Sequence, residues 1–150
     1  PGVSSFQGVA ASLRAEYTLP GVSQTVILTR LEGRTPVPEK EQMKKLAAHG
    51  ASMAVFLSAS MAGRLQEELL AYGGYDEETP CAVVYKATWE DEIKIVTKLG
   101  KLADAVEKNG IRKTAIILVG RFLGGEYELS KLYDKNFTTE FRTGVKDAAK

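Results

Sequence analysis

Apolar positions along this chain switch repeatedly between helical and strand periods. From Ser4 to Ala15, Phe6, Val9, Ala10 and Leu13 recur at three-to-four spacing, which predicts a helix capped by Ser4 or Ser5. Pro20-Gly21 marks a turn, and Gln24 to Leu31 is rich in β-branched residues and predicts a strand. Glu32 to Pro38 carries Gly33, Pro36 and Pro38, so it predicts a loop. Glu39 to His49 then predicts a helix, with acids early, lysines later and Gly50 to end it. Met53 to Ala59 is continuously apolar, the mark of a strand buried on both faces. Ser60 is placed to cap a helix running to Tyr72, with Leu65, Leu69 and Tyr72 on one face and Gly73-Gly74 to stop it.

The second half repeats this alternation. Cys81 to Ala87 predicts a strand, Thr88 to Asp91 a polar turn around Trp89, and Ile93 to Leu99 an edge-like strand of alternating character. Leu102 to Lys108 predicts a short helix closed by Asn109-Gly110, and Thr114 to Gly120 the most apolar strand. Glu126 to Lys150 is polar with scattered aromatics, and predicts a docked, partly helical tail. Strands alternating with helices predict an α/β layered domain: a mixed, mostly buried five-stranded sheet flanked by helices. The closely spaced strands around Trp89 call for an antiparallel pair, hence a mixed sheet.

Composition adds boundaries. The 150 residues are 44% hydrophobic and 26% charged, ordinary for a soluble globular chain. A net charge of +1, without a basic run, gives no pull toward nucleic acid or a membrane surface. The apolar runs are strand-sized, far short of the ~20 residues that span a bilayer. With one cysteine, Cys81, no internal disulfide is possible, and a cytoplasmic location is the expectation. Candidate chemistry is sparse. The single histidine, His49, sits at a predicted helix end, where its charged form suits the helix dipole. No His/Cys group has metal-ligand spacing, no nucleophile–base–acid set assembles, and no phosphate-binding glycine loop follows a strand. Cys81 opens an apolar strand and reads as a buried, inert thiol.

Several segments nevertheless resemble one family. Leu19-Pro20-Gly21-Val22-Ser23-Gln24-Thr25, the Glu32-Gly33-Arg34-Thr35-Pro36 loop, the Ala87-Thr88-Trp89 turn and the Ser130-Lys131-Leu132-Tyr133-Asp134 tail occur in this order. Together they are similar to the tetrapyrrole methylases, in the branch that methylates carbon 11 of precorrin-4 or cobalt-precorrin-4. That family has two α/β domains with the cofactor between them. The resemblance implies that residues 1–22 are an interdomain segment and helix belonging to a first domain absent from this sequence. Residues 23–125 would be the α/β second domain and residues 126–150 the docked tail.

The resemblance also implies a chemistry: S-adenosylmethionine-dependent methyl transfer to the tetrapyrrole, leaving S-adenosylhomocysteine, by a homodimeric enzyme. The fragment by itself is expected to be inactive. Two other readings stay open, a methylase acting at another ring carbon and a catalytically silent module that dimerises or binds ligand. Matching motifs assign cofactor binding to Ser4, Ser5, Leu57, Ala87, Thr114 and Ala115. Small residues at strand ends let backbone approach a ligand closely, although Leu57 and Ala115 are also expected to be buried in any α/β domain. Acetate and propionate arms call for cations. Arg30 and Arg34, beside the Pro-rich loop, and Arg121, after the last strand, are the substrate candidates. Tyr85 and Trp89 offer flat apolar contact, and no residue is singled out as a general base.

Overall fold

The computed structural model describes residues 2–125, 127–130, 132 and 134–145. Pro1, Glu126, Lys131, Tyr133 and residues 146–150 lie outside them, so the first residue of the expected interdomain segment and two residues of the 130–134 tail motif do too. Helix α1 spans Ser5–Leu13. The Gln7 side chain reaches back to accept the Ser4 N–H at 3.1 Å, the returning arm of a capping box. Strand β1 is Val26–Arg30, helix α2 Met43–Ala47, strand β2 Ser52–Phe56 and helix α3 Ala62–Ala71. Strands β3 (Pro80–Tyr85) and β4 (Ile93–Lys98), helix α4 (Leu102–Lys108) and strand β5 (Ala115–Val119) follow.

The strands form one sheet in the order β1-β2-β5-β3-β4. β1 and β2 are parallel, with Val26 opposite Ser52 and Arg30 opposite Phe56. β5 runs antiparallel to β2 and β3, and β3 and β4 form the expected antiparallel pair around Trp89. β1, β2 and β3 therefore point one way while β4 and β5 point the other. The carboxyl ends of β2 and β3 and the amino end of β5 meet at one edge of the molecule.

The period of two divides each central strand between two cores. Met53 and Val55, Cys81 and Val83, and Ile117 and Val119 pack beneath α2, α3 and α4 through Met43, Leu65, Leu69 and Leu102. Ala54, Ala82, Val84, Ile116 and Leu118 face the other way, against Val9 of α1, Tyr17 and Phe122. Small residues on β2 and β3 let the single helix α1 cover that face. Tyr17 completes it, its ring 5.1 Å from Phe122 and its hydroxyl donating to the Phe6 carbonyl at 2.7 Å.

Several boundaries differ from expectation. Glu39 to His49 is not one helix. A 3-10 turn, Glu39–Glu41, is cut by Gln42 in extended conformation (φ −61°, ψ 142°) before α2 begins. Met43 and Ala47, four apart on α2, share one face and both enter the core. A 3-10 turn at Ala59–Met61 likewise precedes α3, so Ser60 is not its cap. Tyr72 is 47% exposed rather than sharing the buried face of Leu65 and Leu69. Among the described tail residues, Thr139 and Arg142 form an isolated bridge. The Arg142 guanidinium donates to the Leu132 and Phe137 carbonyls at 3.1 and 3.3 Å and so folds the tail on itself. Its contact with the domain includes Glu128 N–H to the Pro20 carbonyl at 3.4 Å.

Candidate functional site

A cleft of about 790 Å³ opens where β2 and β3 end and β5 begins. That volume is within the range of small-molecule sites. Its floor is apolar, built from Val9 of α1, Phe56, Val84 and Ile116. Its walls are the segments that leave or enter the strands: Leu57 to Ser60, Lys86 to Trp89, and Arg112 to Ala115, with Ser5 and Arg34 closing the sides.

The backbone at these strand ends is unusual. Leu57 (φ 53°), Lys86 (φ 48°) and Thr114 (φ 56°) are all left-handed, as is Thr88 (φ 72°). A side chain in that conformation costs roughly 1–2 kcal/mol, and a β-branched one such as threonine is a true outlier. Hydrogen bonds hold the geometry. Ser58 Oγ donates to the Phe56 carbonyl at 2.7 Å and accepts from the Leu31 N–H at 3.0 Å, clamping the chain on both sides of Leu57. The Lys86 N–H donates to the Thr114 carbonyl at 2.8 Å, so two left-handed residues fix each other. Strain held in this way gathers at ligand sites because the surroundings over-determine it.

The turn after β3 is braced separately. The Lys86 ammonium pairs with Asp91 and lies 5.2 and 5.3 Å from the Tyr85 and Trp89 ring centroids. Hydrogen bonding to Asp91 raises the Lys86 pKa, and the same bond lowers that of Asp91. Glu92 ties the turn to α1. It accepts from the Thr88 N–H and the Ser12 hydroxyl, each at 2.7 Å, and pairs with Lys94 at 3.1 Å. The Thr88 backbone bond, then Ser12 and Lys94, hold its carboxyl down to about 2.

The structure brings Ser5, Leu57, Ala87, Thr114 and Ala115 around this one cleft together with Arg34. Ser4 stands next to it as the α1 cap. Leu57 is not buried as expected: its left-handed turn leaves it 81% exposed, and Ala115 is only partly covered. Arg30 and Arg121 are elsewhere. The Arg30 guanidinium donates to the Leu31, Thr35 and Pro36 carbonyls, stapling the Pro-rich loop that carries Arg34. Arg121 follows the far end of β5 and pairs with Asp76 at 2.8 Å. Sequence reasoning missed Lys86, Arg112, Lys113 and Ser60 as lining residues. Nothing in their local pattern marks them; only the strand order places them together.

Elsewhere the polar chemistry is structural. Burial pushes the Cys81 thiol up to about 12, which leaves it protonated and unreactive. His49 is exposed after α2. Among the described residues no three His, Cys, Asp or Glu side chains converge as a metal site, and no helix is long and apolar enough to cross a membrane. The cleft combines an apolar floor, closely approaching backbone and a rim of cations. That suits a ligand with a flat apolar body and anionic or polar edges.

A model of the tetrapyrrole (corrin/porphyrin) methylases matches residues 1–103. The cobalt-precorrin-4 C(11)-methyltransferase of Methanocaldococcus jannaschii is 54% identical over 147 residues, covering 97% of this chain and 56% of that protein. Its counterpart in Priestia megaterium is 50% identical over 150 residues, covering 97% and 58%. The precorrin-4 C(11)-methyltransferase of Pseudomonas aeruginosa is 40% identical over 145 residues, covering 96% and 57%. The chain thus spans just over half the length of the curated relatives it matches. Among solved structures, the X-ray structure of a cobalamin biosynthetic enzyme, cobalt precorrin-4 methyltransferase, superposes with a TM-score of 0.79 at 50% identity, covering 82% of this chain and 51% of that one. The uroporphyrin-III C-methyl transferase of Thermus thermophilus, solved with S-adenosylhomocysteine, shares the fold at a TM-score of 0.64 and 19% identity, covering 83% and 52%.

Proposed function

This chain belongs to the tetrapyrrole methylase family, and from that premise we propose that its cleft serves S-adenosylmethionine-dependent methyl transfer to carbon 11 of precorrin-4 or cobalt-precorrin-4, in cobalamin (corrin ring) biosynthesis. The observation that carries this reading is the convergence of left-handed Leu57, Lys86 and Thr114 on one apolar-floored cleft. The choice of carbon 11 is supported by the relatives at 54% and 50% identity, both named for that position.

Bound S-adenosylmethionine supplies a sulfonium-borne methyl group, whose transfer needs alignment and dry surroundings more than acid–base groups. The residues present fit such a group. Ala87, Thr114 and Ala115 offer small side chains and closely approaching backbone, Ser5 adds a hydroxyl, and exposed Leu57 forms an apolar lid edge. Ser4 acts through α1 by fixing where Ser5 stands. Arg34 faces the tetrapyrrole side, while Arg30 holds the loop that presents it. In the whole protein, the further length seen in the relatives provides the facing wall between two domains. Pairing with a second copy belongs to the same proposal; Leu28 on edge strand β1 and Val96 on edge strand β4 leave apolar surface that association can cover.

Titration calorimetry of S-adenosylhomocysteine into the chain, and into a version extended to the relatives' length, tests the reading. Tight binding to the extended protein and weak binding to the chain are expected. Label from methyl-labelled S-adenosylmethionine should then appear at carbon 11 of cobalt-precorrin-4. Absence of binding to both proteins overturns the methyltransferase reading, and label at a different ring carbon overturns the position.

A further inference from the structure

The cleft holds an electrostatic asymmetry that its apolar floor hides. Lys86, Arg34, Arg112 and Lys113 line it, and no Asp or Glu does, although the chain as a whole has a net charge of only +1. Lys86 is neutralised by Asp91. Arg34, Arg112 and Lys113 are exposed and have neither ion-pair nor side-chain hydrogen-bond partner among the described residues. Outside the cleft, Arg30, Arg64, Arg121 and Arg142 hold carboxylates or carbonyls, and Arg14, exposed at the end of α1, stands apart from both groups. Unengaged guanidinium and ammonium groups around an apolar hollow suit anionic groups carried by an apolar body.

The sheet order sets how far apart those anions must be. Arg34 comes from the loop after β1, whereas Arg112 and Lys113 precede β5, with β2 between them. Two strand spacings separate these segments, roughly 10 Å at the sheet edge. A single carboxylate cannot satisfy both. We propose that Arg34 on one side, and Arg112 with Lys113 on the other, form a split cationic rim that reads separate acid arms of one broad polycarboxylate, and so sets specificity for a multiply acidic macrocycle. This rests on the methyltransferase reading of the cleft and assigns its substrate side to residues other than Arg30 and Arg121.

The test uses the full chain and two ligands. Uroporphyrin III is a stable tetrapyrrole with acetate and propionate arms, and its binding is followed by fluorescence quenching. S-adenosylhomocysteine binding is followed by calorimetry. Arg34→Gln and the double variant Arg112→Gln/Lys113→Gln should each weaken uroporphyrin about tenfold or more, since each removes the charged partners of one acid arm. Both should flatten its salt dependence, and coproporphyrin, which has fewer carboxylates, should be less affected. Binding of S-adenosylhomocysteine should be unchanged, and Arg121→Gln should leave both ligands as they are. Unchanged thermal midpoints confirm that these exposed substitutions leave the fold intact. Loss of S-adenosylhomocysteine binding in the variants would mean the cations serve the nucleoside ligand and would overturn the proposal, as would uroporphyrin affinity equal to the unsubstituted chain's. Failure of both the unsubstituted chain and the version extended to the relatives' length to bind either ligand would instead count against the cleft reading itself.

Discussion

The two ends of the sheet solve the same backbone problem with different residues. Where the chain turns with positive φ beside the strands at the far end, it uses glycine: Gly50 (φ 57°) before β2 and Gly120 (φ 146°) after β5. At the cleft end the corresponding positions are Leu57, Lys86 and Thr114, which bear the steric cost. The far end is also closed by buried bonds. Tyr75 donates to the Ala51 carbonyl and Ser52 to the Tyr17 carbonyl, each at 2.6 Å, and the Gly120 N–H reaches the Pro80 carbonyl at 3.0 Å. The cleft end instead exposes Leu57 (81%) and Trp89 (61%). One end is built for stability, and the other keeps strained backbone and uncovered apolar surface, as a ligand site does.

The largest test of this contrast is at the closed end. A Cβ on Gly74 would lie 1.7 Å from the Ala47 carbonyl oxygen, a contact only a backbone shift can relieve. Gly74→Ala should cost about 4 kcal/mol or more in denaturant unfolding; a small loss would show that the far end is not rigid. Next in size, Tyr75→Phe removes the buried bond to Ala51 and should cost about 1–2 kcal/mol. Burial, with a smaller contribution from Cys81, pushes that phenol up to about 12, so its loss should be insensitive to pH across the neutral range.

At the cleft end the sign should reverse. Leu57→Gly relieves a left-handed side chain that makes little buried contact, and should raise stability by about 1 kcal/mol while weakening nucleoside binding. A destabilised Leu57→Gly would mean that the conformation is not strained. The smallest effect concerns the tie from α1 to the Trp89 turn. The Glu92 carboxyl is held down to about 2 against an ordinary 4.5. Its contribution is therefore complete above about pH 4.5 and is lost as pH falls through about 2. A Glu92→Gln chain should lack this part of the acid transition, read as fluorescence of Trp89; identical acid transitions would remove the tie.

Much of the sheet was legible because its strands are apolar, β-branched runs punctuated by glycine and proline, and the Trp89 turn disclosed the antiparallel pair. The break at Gln42 was not, since Glu39 to His49 satisfies every local rule for one helix, yet Gln42 is extended between the 3-10 turn and α2. The site was legible in part through family likeness, which named Leu57, Ala87, Thr114 and Ala115 before any geometry was known. It assigned Arg30 and Arg121 to substrate on residue type alone, and the structure commits both to other partners. Arg112 and Lys113 carried no local signal. Their position depends on β5 inserting between β2 and β3, which no short stretch of sequence states. Left-handed leucine, lysine and threonine are likewise invisible, because tertiary bonds such as Leu31 N–H to Ser58 Oγ impose them.

The central claim is the location of the ligand cleft, and amide chemical shifts measured during titration with S-adenosylhomocysteine test it most directly, even at weak affinity. The account predicts the largest shifts at Leu57, Lys86, Ala87, Thr114 and Ala115, with the far-end amides of Tyr75, Thr79, Gly120 and Gly124 unmoved. Shifts concentrated at the far end, or none at saturating ligand, would contradict it.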